Sequence, residues 1–336
     1  MKHPTRLLRA SVVVAVLALV ASACTLRHEA TEAGVLIGAG ATNPNYLDDP
    51  QFAKVLGEQF NSLSPENELK WFATEPQQGV FDFTKLDRLV DYAQRHNMAV
   101  KGHGLISGCC NPDWLLQITE PAALRAAIAA HFNGLMRRYD GKIDRWDVVT
   151  EPLSIAGGTG LNPNHFSDVL GQDYIDEVFR IARAADPDAK LFLNESLVEY
   201  NPVKRQELYD LVSGMVARGV PITGVGLELH AGGPPQRGVI ADLVDAYQAL
   251  GLEVAITELD VTLRQNLPDP LKAQAEVYSQ VVRECLQAGC REISLWGFAD
   301  KYAYPLGSRK LLFDENYEPK PAYAAVFNAL HEFATR

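Results

Sequence analysis

Eight short apolar runs, each followed by a longer stretch, constrain this chain more than any other feature. The runs fall at residues 35–39, 59–62, 99–103, 145–150, 190–193, 222–227, 253–257 and 292–296. Between them, residues 83–97, 121–139, 174–185, 202–218, 239–250 and 271–288 read as helices, and 321–334 closes the series. In 83–97, Leu86, Leu89, Val90 and Ala93 recur at helical spacing; in 121–139, Leu124, Ile128 and Phe132 do the same. A short buried strand followed by an amphipathic helix is a βα unit, and such units assemble around a parallel sheet. Eight of them predict a single-domain (β/α)8 TIM barrel over residues 34–336, although an open doubly wound sheet has a similar periodicity.

The first residues belong to another job. Lys2, Arg6 and Arg9 precede an apolar run from Val12 to Val20, followed by Ala21-Ser22-Ala23-Cys24. A basic head, a short apolar core and small residues at a cleavage point predict an export signal over residues 1–23, then a short mobile segment at 24–33. Cys24 is placed for lipidation, with plain secretion as the alternative, so the membrane enters only through an N-terminal anchor. Without residues 1–23, which hold three of the 31 Lys and Arg and none of the 42 Asp and Glu, the formal charge is −14. That balance excludes nucleic acid and anionic membrane surfaces as partners and suits a neutral ligand, with a monomer as the expected state. In an oxidising compartment Cys285 and Cys290 are close enough in sequence to staple a helix end to the next strand. Adjacent Cys109 and Cys110 form either a vicinal disulfide or two thiols. No Cys or His spacing suggests a metal site, and no cofactor is expected.

Active residues of such a barrel stand at the C-terminal ends of its strands. Those ends read Pro65-Glu66-Asn67-Glu68-Leu69-Lys70-Trp71, Lys101-Gly102-His103, Asp147-Val148-Val149-Thr150-Glu151, Glu228-Leu229-His230, Thr257-Glu258-Leu259-Asp260 and Trp296-Gly297-Phe298-Ala299-Asp300. A single Glu at a strand end is ordinarily a solvated loop residue, and a single Trp is ordinarily packing. Ionisable groups converging from most of the strands on one mouth are not explained by packing. Two carboxylates across a barrel mouth suit acetal cleavage, one giving a proton to the leaving oxygen and the other attacking the anomeric carbon. On this reading Glu151 is the acid, protonated at rest, and Glu258 the ionised nucleophile, oriented by His230 and Asp260. Trp296 and Tyr304 are placed to stack on sugar faces.

At these residues the chain resembles glycoside hydrolase family 10, whose best-known members are endo-β-1,4-xylanases. The resemblance runs from about Gly34 to Phe333 and is strongest in the Pro65–Trp71 string, in Trp146-Asp147-Val148-Val149-Thr150-Glu151, in Thr257-Glu258-Leu259-Asp260 and in Leu311-Leu312-Phe313-Asp314-Glu315-Asn316-Tyr317. It implies Glu151 as acid/base, Glu258 as nucleophile and a His230–Glu258–Asp260 network. It also implies Glu66, Asn67 and Lys70 as contacts to the sugar one step to the non-reducing side, and a Cys285–Cys290 disulfide.

The departures cluster at one subsite. Where the family has a Trp four residues after the strand-three His103, then a His and a Gln, this chain has Ser107, Gly108 and Cys110. The Asn before the acid/base is Thr150, the Gln before the strand-six His is Glu228, and a Trp of the last loop is Tyr304. The expected function is a retaining, xylanase-like β-glycoside hydrolase acting on an extracellular glycan. Its alternatives are the same chemistry on a sugar other than xylose, and a weakly active glycan-binding lipoprotein. A bulkier sugar could fill the space, and a basic sugar nitrogen could pair with Glu228.

Overall fold

The computed structural model describes residues 25–336; the expected export signal and the expected lipidation site Cys24 lie outside the described residues. Eight parallel strands form the core: β1 (Leu36–Thr42), β2 (Ser62–Pro65), β3 (Ala99–Gly102), β4 (Arg145–Thr150), β5 (Lys190–Ser196), β6 (Gly224–Glu228), β7 (Glu253–Val261) and β8 (Glu292–Leu295). Each pairs with the next, and β8 pairs with both β7 and β1, which closes the sheet into a (β/α)8 barrel. Two short extensions, Ile106–Ser107 against β4 and His230–Ala231 against β7, lengthen the wall at the mouth. No helix among the described residues is long and apolar enough to cross a membrane.

The helices start where local chemistry starts them. Proline occupies a first-turn position in Pro121–Arg138, Pro202–Ala217 and Pro321–Ala334, where its missing N–H costs nothing. The Asn201 side chain caps the second of these by accepting from the Val203 and Lys204 amides. Thr84–Arg95 turns Leu86, Leu89, Val90 and Ala93 onto the sheet, as their spacing requires. Inside the barrel, glycines make room for large neighbours: a Cβ at Gly226 would collide with the Asn194 amide, and one at Gly102 with the Trp146 ring.

Two expectations are corrected. Residues 24–33 were expected to be mobile, but Leu26–Glu32 is a helix with Leu26 and Ala30 fully buried. The Arg27 guanidinium donates to the Gly57, Phe60, His96 and Asn97 carbonyls, and Glu29 meets His331 Nδ1 at 2.8 Å, so the helix is tied to three others. The second strand runs over Ser62–Pro65 rather than 59–62, because the preceding helix continues to Gln59 and Phe60 turns into the core as its C-cap. The shift places Pro65 at the strand's end and Glu66-Asn67 directly at the mouth. Strands β5 and β7 also reach further than their apolar runs, carrying Asn194, Glu195 and Ser196 on one and Glu258 and Asp260 on the other.

Candidate active site

Glu151 follows the last residue of β4 with φ at 48°, left-handed backbone that costs a residue with a Cβ on the order of 1–3 kcal/mol. The strain is held by the backbone: Glu151 N–H donates to the Asn194 carbonyl at 2.9 Å. The exposed side chain receives a hydrogen bond from Ser196 Oγ to Oε1 at 3.1 Å. Such strain is ordinarily found where a side chain has to be aimed, and here it aims a carboxyl into the mouth.

Glu258, on β7, is buried and surrounded by donors. Asn194 Nδ2 donates to Oε1 at 3.1 Å, His230 Nε2 lies 3.3 Å from Oε2, and His103 Nδ1 lies 3.7 Å from Oε1. His230 Nδ1 meets Asp260 Oδ2 at 2.8 Å, and Lys310 Nζ meets the same oxygen at 2.6 Å. Burial opposes a charge on His230, but its bonds to Asp260 and Glu258 outweigh that cost and raise its pKa to about 10. The imidazolium therefore persists through neutral pH with both ring nitrogens donating, a fixed cation against Glu258. On the other side, His103 Nδ1 and Lys101 Nζ flank Asp147 Oδ2 at 3.1 and 2.9 Å. Burial alone would push Asp147 up; Lys101 and His103 hold it below the usual carboxylate range.

Asn194 joins the two halves. Its carbonyl fixes the Glu151 backbone, and its side chain donates to Glu258 and, at 2.7 Å, to Glu228 Oε1. Glu228 is buried at the end of β6, and its acidity is strongly suppressed, first by burial and then by the charges of Glu258 and Glu151. Behind Glu151 runs a second chain of contacts. Lys204 and Glu195 form a fully buried ion pair at 2.7 Å, and Lys204 Nζ reaches Ser196 Oγ at 3.5 Å, the hydroxyl that donates to Glu151.

The other expected contacts divide. Lys70 Nζ donates to Asn67 Oδ1 at 3.1 Å, and half-buried Glu66 titrates above its ordinary range through burial and the neighbouring Glu68. Thr150 is buried at the end of β4, and Trp296 stands edge-on to His103, ring centroids 5.1 Å apart. Tyr304 is 78 % exposed on the loop after β8. Trp71 is core, stacked on His131 at 4.1 Å with its indole N–H on Glu75. The loop at 107–110 bonds to itself and to its base: Ser107 Oγ donates to the Cys109 carbonyl at 2.7 Å, Asn111 Nδ2 to the Ser107 carbonyl at 3.2 Å, and the Phe72 amide to the Cys110 carbonyl at 3.2 Å. A Cβ built on Gly108 would meet nothing within 4 Å. The residues missed from sequence are Asn194, Ser196, Lys204 and Lys310. The first two were readable only had β5 been extended through its polar residues; the lysines carry no local signal.

A closed barrel whose mouth gathers a buried, cation-backed carboxylate and a second, aimed carboxyl defines a glycoside hydrolase. The chain belongs to glycosyl hydrolase family 10, whose model matches residues 25–329. It is 35% identical over 299 residues to endo-1,4-beta-xylanase 3 of Hypocrea jecorina, covering 88% of this chain and 83% of that one. It is 33% identical over 307 residues to a beta-1,4-xylanase of Dictyoglomus thermophilum, covering 85% and 86%. Among solved structures, xylanase 10B of Thermotoga maritima superimposes with a TM-score of 0.87 at 30% identity, covering 93% of this chain and 99% of that one. Xylanase 10B of Thermotoga petrophila, solved with xylobiose, also gives a TM-score of 0.87 at 30% identity, covering 92% and 98%. The protein is thus a retaining, xylanase-like O-glycosyl hydrolase with a carbohydrate substrate and a two-carboxylate mechanism.

Proposed function

We propose that Glu258 is the nucleophile and Glu151 the acid/base of this hydrolase, and that its natural substrate is a β-linked glycan outside the cell. The observation that carries the assignment is the asymmetry of the two carboxyls around Asn194. Glu258 is buried, accepts from the Asn194 amide and lies beside the His230 imidazolium, whereas Glu151 is exposed and takes one hydrogen bond from the neutral Ser196 hydroxyl. A merely glycan-binding protein would have no use for that difference. His230, Asp260 and Lys310 keep the nucleophile's partner charged; Glu66, Asn67 and Lys70 hold the neighbouring sugar. Export by residues 1–23, lipidation at Cys24 and a disulfide between Cys285 and Cys290, whose Cα atoms are 5.3 Å apart, complete the reading.

Xylan is expected to be a poor substrate. The wall that a Trp and a His would form at 107 and 108 is absent, the space beside Gly108 is open, and Thr150 lacks the amide donors of an asparagine. Losing one oriented contact made in the transition state costs roughly 10² in rate. Aryl β-xylosides, β-glucosides and amino-sugar glycosides, assayed with and without reductant, decide this. A bulkier glycoside should exceed the xyloside, and the triple replacement Ser107→Trp, Gly108→His, Cys110→Gln should shift the preference back to xylose. Xylan turnover at the level of the relatives, unmoved by that replacement, would overturn the expectation.

Ser196 has a positioning role towards Glu151. Ser196→Ala should slow poor leaving groups about tenfold, within the range for general acid catalysis, and leave activated aryl glycosides nearly unchanged. A purely structural role would slow both alike, so the leaving-group dependence of kcat/KM checks it.

A further inference from the structure

Glu228 occupies the position where the family resemblance places a glutamine, and its surroundings explain how a carboxyl stands there. Its Oε1 accepts from Asn194 Nδ2 at 2.7 Å. On the other side of that amide, Asn194 Oδ1 accepts from Thr257 Oγ1 at 2.6 Å, with the NH2 group facing the acids. The second N–H goes to Glu258 Oε1, so one neutral amide bridges two carboxyls. The cations of the mouth are committed elsewhere. His230 lies between Glu258 and Asp260, Lys310 is on Asp260, Lys101 and His103 are on Asp147, and Lys204 is on Glu195. Among the described residues none of them forms an ion pair with Glu228. Its other titratable neighbours, Glu151, Glu195 and Asp147, are acids whose charges oppose its own, as does that of Glu258. Glu228, His230 and Glu258 offer polar atoms within 4.8 Å of one another, so the Glu228 carboxyl stands directly beside Glu258.

We propose that Glu228 is held as a neutral carboxylic acid whose O–H, on the oxygen not used by Asn194, donates a hydrogen bond to the sugar being cleaved, so that the subsite takes a neutral, hydroxylated sugar rather than a basic one. The inference rests on the two-carboxylate reading above. Like carboxyls this close in a buried site do not all ionise, and one that keeps its proton becomes a donor. That donor stands near β4, where Thr150 has replaced an amide, and it returns to the subsite a polar hydrogen that threonine in place of asparagine removes. The suppressed acidity of Glu228 agrees with the geometry.

The test compares Glu228→Ala with the isosteric Glu228→Gln, which keeps a donor but cannot ionise. Glu228→Ala should lose on the order of 10² in kcat on neutral aryl β-glycosides, and Glu228→Gln should recover most of that loss. The wild type should prefer neutral glycosides to amino-sugar glycosides. At neutral pH, the infrared difference between the wild type and Glu228→Gln should contain the C=O stretch of a protonated carboxylic acid. Equal losses in the two variants, a preference for amino-sugar glycosides, or absence of the protonated band would each overturn the proposal. A wild type that cleaves none of the glycosides defeats the two-carboxylate reading instead, and the infrared band, which needs no turnover, still decides the state of Glu228.

Discussion

Replacing Glu258 by alanine should remove turnover on every β-glycoside, by on the order of 10⁴-fold or more, and azide should restore it with an α-glycosyl azide as product. The size of the loss follows from what the side chain does. As the proposed nucleophile it would form the bond to the anomeric carbon, and the neighbouring carboxyls are committed elsewhere: Asp260 is bound by His230 and Lys310, Asp147 by His103 and Lys101, and Glu228 by Asn194. Rescue follows from what alanine leaves behind. The Asn194 amide and the His230 imidazolium lose an acceptor and face a void the size of a carboxylate, a site suited to a small anion. Azide bound there attacks from the face Glu258 occupied while Glu151 protonates the leaving oxygen. One inversion of a β-glycoside gives the α-product, and product stereochemistry can be read by proton NMR. A β-glycosyl azide would show that the assignment of nucleophile is wrong.

Much of this was legible in the sequence, and the parts that were not have physical reasons. The helix starts at Pro121, Pro202 and Pro321 were readable because proline in the first turn is a local signal. The second strand was placed three residues early because Phe60, an apolar residue next to a strand, looks like part of it; only the length of the helix before it shows that Phe60 closes that helix. Strand β5 was ended at Leu193 because Asn194, Glu195 and Ser196 are polar. In most sheets that ends a buried strand, but in a barrel the polar end of a strand is where the site is built. Asn194 was missed for that reason, although it fixes the Glu151 backbone and both buried carboxyls. Helix 26–32 was read as mobile because its anchors, Gly57, Phe60, His96, Asn97 and His331, are remote in sequence. Glu151 and Glu258 could be picked out because each directly follows the apolar run of a strand, at the end of the barrel where side chains of different strands converge.

Glu151→Ala should separate substrates by their leaving groups. The substitution should leave the fold intact, since the side chain is exposed and among the described residues bonds to Ser196, while the backbone bond to Asn194 that fixes the left-handed turn is untouched. Formation of the glycosyl–enzyme bond to Glu258 needs a proton only when the departing oxygen is basic. Dinitrophenyl β-glycosides should therefore form the covalent intermediate at nearly the wild-type rate, and poor leaving groups should lose about 10²–10⁴-fold. The second step loses its general base for every substrate, because the same residue activates the water that releases the sugar. With a dinitrophenyl substrate this should appear as a burst followed by slow turnover, and mass spectrometry should find the sugar covalently attached. Azide needs no base, so it should accelerate release, and because it performs the second of two inversions its product should be the β-glycosyl azide. The two variants thus give azides of opposite configuration, α from Glu258→Ala and β from Glu151→Ala; a binding protein gives neither, and an exchange of the two roles would reverse the pairing. Equal losses on good and poor leaving groups, with no burst, would show that Glu151 is not the acid.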